Sequence, residues 1–315
     1  MRTLLALAAV VILVGMSGSA AAAEVVAPFD PALGEFPEGI AIAADGTMYV
    51  SLAPLGEIRR LDDAGSWSTF FRFDPGTTGL GVLGLAADRE GTIYAAVPSD
   101  SSGAHGVWAI TPGGDAVRLP GSEQIVFPNA LALDPHHNLY ISDSILGAIW
   151  RIPSGGRAEL WLQHELLAGL AELNPFPLGA NGVAYLRGRL LVANTEKKQV
   201  VEIPIDAMGA PGAPQIFDSF GPTDYLDGIA VDVVGNAYVL VAGRSELVRI
   251  SPSGEAATVA TADDGLNVPA SLAFGTRSTA RRTLYVTNFA LPIFTPVPTP
   301  GVLALDVPHP GPPLP

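Results

Sequence analysis

The 315 residues hold no cysteine, 35 glycines and 28 prolines, with 31 acidic side chains against 17 basic ones. That composition excludes disulfides, thiolate chemistry and Cys-ligated metals. It sets the chain against nucleic acid and anionic lipid, and favours tight turns over long surface helices.

The N-terminal segment reads as a secretory signal. Arg2 precedes an apolar run, Leu4–Val14, and small residues end in Ala21-Ala22-Ala23 before Glu24. A basic start, a short apolar core and an A-x-A ending predict export to the periplasm or beyond, with cleavage near Ala23. Without Arg2, 16 basic residues face 31 acidic ones, a net charge of −15. No later stretch is long and apolar enough to predict a membrane span.

The mature sequence repeats itself. Aligned on an aromatic residue or Leu, PEGIAIAADGTMYVS (Tyr49), LGLAADREGTIYAAV (Tyr94) and PNALALDPHHNLYISDS (Tyr140) are successive copies. ANGVAYLRGRLLVANT (Leu191), DGIAVDVVGNAYVL (Tyr238) and ASLAFGTRSTARRTLYVTN (Tyr285) continue the series. The anchors lie 45, 46, 51, 47 and 47 residues apart. That period, with strands of four to six residues and turns such as Asp45-Gly46, predicts an all-β, six-bladed β-propeller of four-stranded antiparallel blades. Residues 24–307 form this single domain, between a leader at 1–23 and a Pro-rich tail at 308–315. The sixth copy lacks an outer strand, and Glu24–Phe29 lacks a blade. The expectation is that the second completes the first and removes an open edge.

Two stretches break the period. Gln163–Gly179 joins the third and fourth copies with helix-like spacing in its first half, and Ala290–Pro300 is a Pro-rich insert in the sixth. Both belong to the face where each innermost strand begins.

Residues just before the innermost strands must converge at one end of the central channel. They read Glu38, Gly84, Asn129, Asn181, Asp227 and Pro269-Ala270. Two carboxylates and two amide carbonyls around one axis form an all-oxygen set. It suits a hard divalent cation, Ca²⁺ first, with Mg²⁺, Mn²⁺ or Zn²⁺ as substitutes. Each residue, taken alone, is also an ordinary turn former.

In their order, Glu38-Gly39, Asn129, Asn181-Gly182 and Asp227-Gly228 resemble the senescence marker protein, gluconolactonase and luciferin-regenerating-enzyme family, with ANGVAYL and LDGIAVD the more specific matches. The resemblance implies a metal held by Glu38, Asn181 and Asp227, with Asn129 in the metal or substrate shell. It also implies hydrolysis of a lactone or related ester, a small-molecule substrate, with Asp227 combining ligation and proton transfer. PNALALD departs from the form the first Asn often takes in that family. Asp143, Ser144, Asn194, Thr195 and the loop residue His105 are expected near substrate, and the protein is expected to be a monomer. The same repeat pattern also suits two alternatives. One is a non-enzymatic, NHL-like propeller that binds a ligand or protein on the same face, and the other is a strictosidine-synthase-like or lyase-type enzyme.

Overall fold

The computed structural model describes residues 23–61, 65–172 and 176–315. The expected leader, but for Ala23, lies outside them. The described residues fold into six four-stranded antiparallel sheets, with only short 3₁₀ turns between strands. None of their helices is long and apolar enough to cross a membrane.

The innermost strands are Pro37–Ile42, Leu85–Ala87, Pro128–Leu133, Ala180–Tyr185, Leu226–Val231 and Pro269–Phe274. Each touches the next, and the sixth touches the first, so the blades close a ring around a channel. Inward-facing apolar side chains of adjacent blades interlock, as where Tyr238 and Leu240 of blade five pack on Leu272, Leu284 and Val286 of blade six.

Blade six takes its outer strand from the other end of the chain. Glu24–Pro28 pairs antiparallel with Gly301–Asp306, Glu24 opposite Ala304 and Pro28 opposite Gly301. Phe29 N–H donates to Pro300 O at 3.0 Å, and Ala27 and Phe29 are buried.

The hairpins of blades three and five at the lower end of the channel share one device. Asp232 Oδ1 accepts from the backbone N–H of Val234, Gly235 and Asn236, and Oδ2 accepts from Asn236 Nδ2 at 2.6 Å and Tyr238 OH at 3.4 Å. Asp134 does the same for His136, Asn138 and Tyr140 in blade three. A short acidic side chain that satisfies turn amides and a buried tyrosine explains why these turns need no further partner.

The Pro-rich tail is too poor in N–H donors to be a strand, yet it is held in place. Pro310 O accepts from Val233 N, Gly311 N donates to Arg281 O, and Pro315 O accepts from Arg89 N, each at 3.0 Å. Pro312–Pro315 thereby floor the lower channel, a cavity of about 580 Å³ walled by residues such as Ile42, Leu133, Leu186 and Phe274.

Candidate functional site at the upper end of the channel

Five of the six innermost strands carry a register shift near their start, between Pro37 and Ile40, Pro128 and Leu131, Ala180 and Val183, Leu226 and Ile229, and Pro269 and Leu272. Such a bulge re-aims a side chain out of the alternation of the strand. Glu38, Asn129, Asn181, Asp227 and Ala270 sit in these bulges, inside the strand rather than ahead of it. All five line one small cavity of about 60 Å³ on the axis.

Blade two corrects the alignment. A Cβ on Gly39, Gly84, Gly182 or Gly228 would lie 2.3, 2.4, 2.5 or 2.6 Å from a backbone carbonyl of the next blade, that of Leu83, Asn129, Asp227 and Ala270 respectively. Gly84 is therefore the equivalent of the glycine that follows a ring residue, and the ring residue of blade two is Leu83. The pairs Glu38-Gly39, Asn181-Gly182 and Asp227-Gly228 have their glycine for close approach between main chains, not for an unusual φ. The ring positions are thus Glu38, Leu83, Asn129, Asn181, Asp227 and Ala270: four with side-chain oxygens, two apolar.

Hydroxyl groups of the second strands and their loops lock the ring. Ser51 Oγ donates to Leu83 O at 2.7 Å, Thr287 Oγ1 to Glu38 O at 2.6 Å, and Ser144 Oγ to Ala180 O at 2.6 Å, each bond crossing between blades. Ser144 Oγ also accepts from Asn129 Nδ2, and Thr195 Oγ1 accepts from Asn181 Nδ2, both at 3.0 Å. One N–H of each amide is so occupied, and Asn181 also donates to Asp227 across the cavity. Ser144 and Thr195, expected near substrate, orient the two amides. Nothing in the sequence separates those two roles.

The carboxylates are costly as they stand. Glu38 is buried and its Oε2 has no hydrogen-bond partner. Burial, and then the neighbouring Asp227, raise the Glu38 carboxyl well above its usual range. Burial likewise pushes Asp227 up to about 8, against the opposing effect of a hydrogen bond from Asn181. Two buried carboxyls and an orphaned oxygen are stable as anions only beside a positive charge. The residues therefore fit a hard cation bound through Glu38, Asn181 and Asp227, with Asn129 beside them.

Three other expected contacts are drawn into the frame. Asp143 is fully buried and accepts from the backbone N–H of Val126, Phe127 and Leu146 and from Trp150 Nε1. Asn194, also fully buried, donates to Leu166 O and Ala168 O and accepts from Lys197 N. His105 has one ring nitrogen 3.1 Å from Ser99 O and the other 2.7 Å from Ile125 O. Their polar atoms anchor loops, and none of them lines the axial cavity. In the long connection the helix-like spacing yields a single 3₁₀ turn, Glu165–Leu167. The buried carboxylate of Glu196 holds the chain beyond it, accepting from the N–H of Leu170, Ala171 and Glu172.

One acidic grouping escaped sequence reasoning. Asp88, Glu90 and His137 approach within 4.8 Å at the lower face. Asp88 already accepts from Thr92 N and Tyr94 OH, the hairpin device of the other blades.

The fold and its axial ring of oxygens define a six-bladed propeller with a candidate cation site. Residues 178–290, which carry Asn181 and Asp227, match the family model described as the SMP-30/Gluconolactonase/LRE-like region. Among solved structures, a gluconolactonase from Xanthomonas campestris is similar at TM-score 0.69 and 14% identity, covering 94% of this chain and 93% of that one. A calcium-binding protein, regucalcin, from Agrobacterium tumefaciens gives TM-score 0.67 and 17% identity over 94% and 97%. A streptogramin B lyase gives 0.59 and 15% over 90% and 97%. No curated protein matches significantly.

Proposed function

We propose that the protein is an exported, divalent-cation-dependent hydrolase that opens a lactone or related ester at the upper end of its channel. The observation that carries this reading is the unpartnered Oε2 of buried Glu38 beside buried Asp227. Glu38, Asn181 and Asp227 hold the cation and Asn129 supports the shell. Bound there, a cation such as Ca²⁺ supplies Lewis-acid polarisation of a substrate carbonyl. Asp227 is the carboxylate at the axis suited to take a proton from an attacking water. Asn129 and Asn181, held by Ser144 and Thr195, keep their amide groups at the shell. The leader-like residues 1–23 support export, and export supports Ca²⁺, since extracellular sites bind it at abundant concentrations. The calcium-binding and gluconolactonase neighbours support the cation and the reaction class.

The test couples metal analysis to a panel of aldonolactones, alkyl lactones and aryl esters. Ring opening or ester cleavage is expected with Ca²⁺, and a chelator or Asp227→Ala should lower kcat/KM at least about 100-fold. Activity that survives both changes overturns the role given to the cation. A protein that binds no divalent ion is better described as a ligand-binding propeller.

A further inference from the structure

The upper rim of the channel is not polar all round. Phe36, Leu83 and Phe289 pack with Ala53 and Ala270 in one apolar cluster, and Leu80, Phe127 and Leu291 lie half-buried against it. Two members of that cluster, Leu83 and Ala270, occupy ring positions, and Ala270 lines the axial cavity itself. Phe36 and Phe127 each stand two residues before an oxygen-bearing ring residue, Glu38 and Asn129. The collar therefore spans blades six, one, two and three. Leu291 comes from the Pro-rich insert, whose Val297 O and Thr299 Oγ1 are held by Asn267 Nδ2 at 2.7 and 2.8 Å. Beyond Leu291 the same insert exposes Ile293 (80%) and Phe294 (55%).

The five polar side chains expected near substrate are committed elsewhere. Asp143, Asn194 and His105 anchor loops, and Ser144 and Thr195 hold the ring amides. A site that binds a sugar acid needs free donors and acceptors beside the reacting carbonyl, whereas an apolar rim rewards removal of hydrocarbon from water. Exposed apolar side chains continuous with a pocket mark the surface a ligand covers.

We infer that the substrate is an ester or lactone with a bulky apolar acyl or aryl portion, its carbonyl at the axial ring and its hydrocarbon along half-buried Phe127 and Leu291, which the buried Phe36, Leu83 and Phe289 back. The inference rests on the hydrolase reading for the reaction, while the apolar ligand class rests on the collar alone. The test uses γ-lactones with side chains of one to eight carbons, glucono-δ-lactone, and the matching γ-lactams, which keep the ring carbonyl but resist opening. With Ca²⁺ present, both kcat/KM for the lactones and affinity for the lactams should rise about two- to fourfold per added methylene until the collar is filled. Leu291→Ser, on a surface insert, and Phe127→Ser, at a half-buried position, should each flatten that slope. Turnover of glucono-δ-lactone above that of the long-chain lactones, or lactam affinity independent of chain length, overturns the inference. Lactam affinity that climbs with chain length while no lactone is opened keeps the ligand class and removes the hydrolase reading.

Discussion

The two ends of the channel are walled by the same six strands, yet they are built on opposite principles. The upper end is narrow, about 60 Å³, and crowds two buried carboxyls and two oriented amides into it. The lower end is roomy, about 580 Å³, lined with aliphatic side chains and floored by Pro312–Pro315. The difference comes from five bulges and a few glycines. Below the bulges the strands alternate normally and offer apolar side chains to the channel. At the bulges that alternation is broken, and one side chain per blade is turned to the axis. A polar site is thus inserted into a hydrophobic tube by a local change in register, with no change in the fold around it.

The sharpest way to break this contrast is to titrate the upper end without metal. The folded-state value for Asp227, about 8, lies far above the ordinary carboxyl range of about 4, and Glu38 is displaced in the same direction. A carboxyl raised on folding contributes stability that is fully present below its unfolded value and is lost as pH rises through its folded value. Chelated protein should therefore melt about 10 °C lower at pH 9 than at pH 5. Asp227→Asn should flatten most of that dependence, and Ca²⁺ should remove it. Melting curves that do not move with pH would mean that these carboxyls are not stressed by burial.

A smaller effect separates the ring's geometry from its ligands. Gly182→Ala leaves every oxygen donor in place but sets a Cβ 2.5 Å from Asp227 O and 2.7 Å from Ile229 N. Displacing blade five should weaken divalent binding about tenfold in calorimetry and cost about 1–3 kcal/mol of stability. Unchanged affinity would show that the main-chain contact does not gauge the ring. The smallest effect belongs to the lower end. Removing residues 308–315 should lower the melting temperature by only about 3 °C and open the lower cavity to an environment-sensitive apolar dye. Cation affinity should stay within about twofold of the intact chain. A larger change would mean that the floor and the ring are coupled.

Much of this was legible before any coordinates. The repeat period, the missing outer strand of blade six and the acidic or amide residue at the head of four repeats are one-dimensional signals, and they survive folding intact. Three things were not legible. A bulge is a matter of register between two strands, and neither strand announces it alone, so the ring residues were expected ahead of their strands rather than inside them. The shorter innermost strand of blade two, Leu85–Ala87, hid the register there, so Gly84 stood in for Leu83 and one of the two apolar ring positions went unseen. Asp143 and Asn194, each the last residue of a second strand, look like substrate contacts because they are polar and near the site. Their carboxylate and amide are used up by backbone groups that no pattern in the sequence connects to them.

The glycine that abuts the next blade's carbonyl carries one more consequence. Because main chain meets main chain there, the aperture of the ring does not depend on which side chains it displays. Blades one, two, four and five share that contact, so Glu38, Leu83, Asn181 and Asp227 sit in equivalent sockets, of which Leu83 is the one without an oxygen. A scaffold of this kind can exchange its chemistry one socket at a time, moving from ion cage to greasy funnel, while every strand stays where it is.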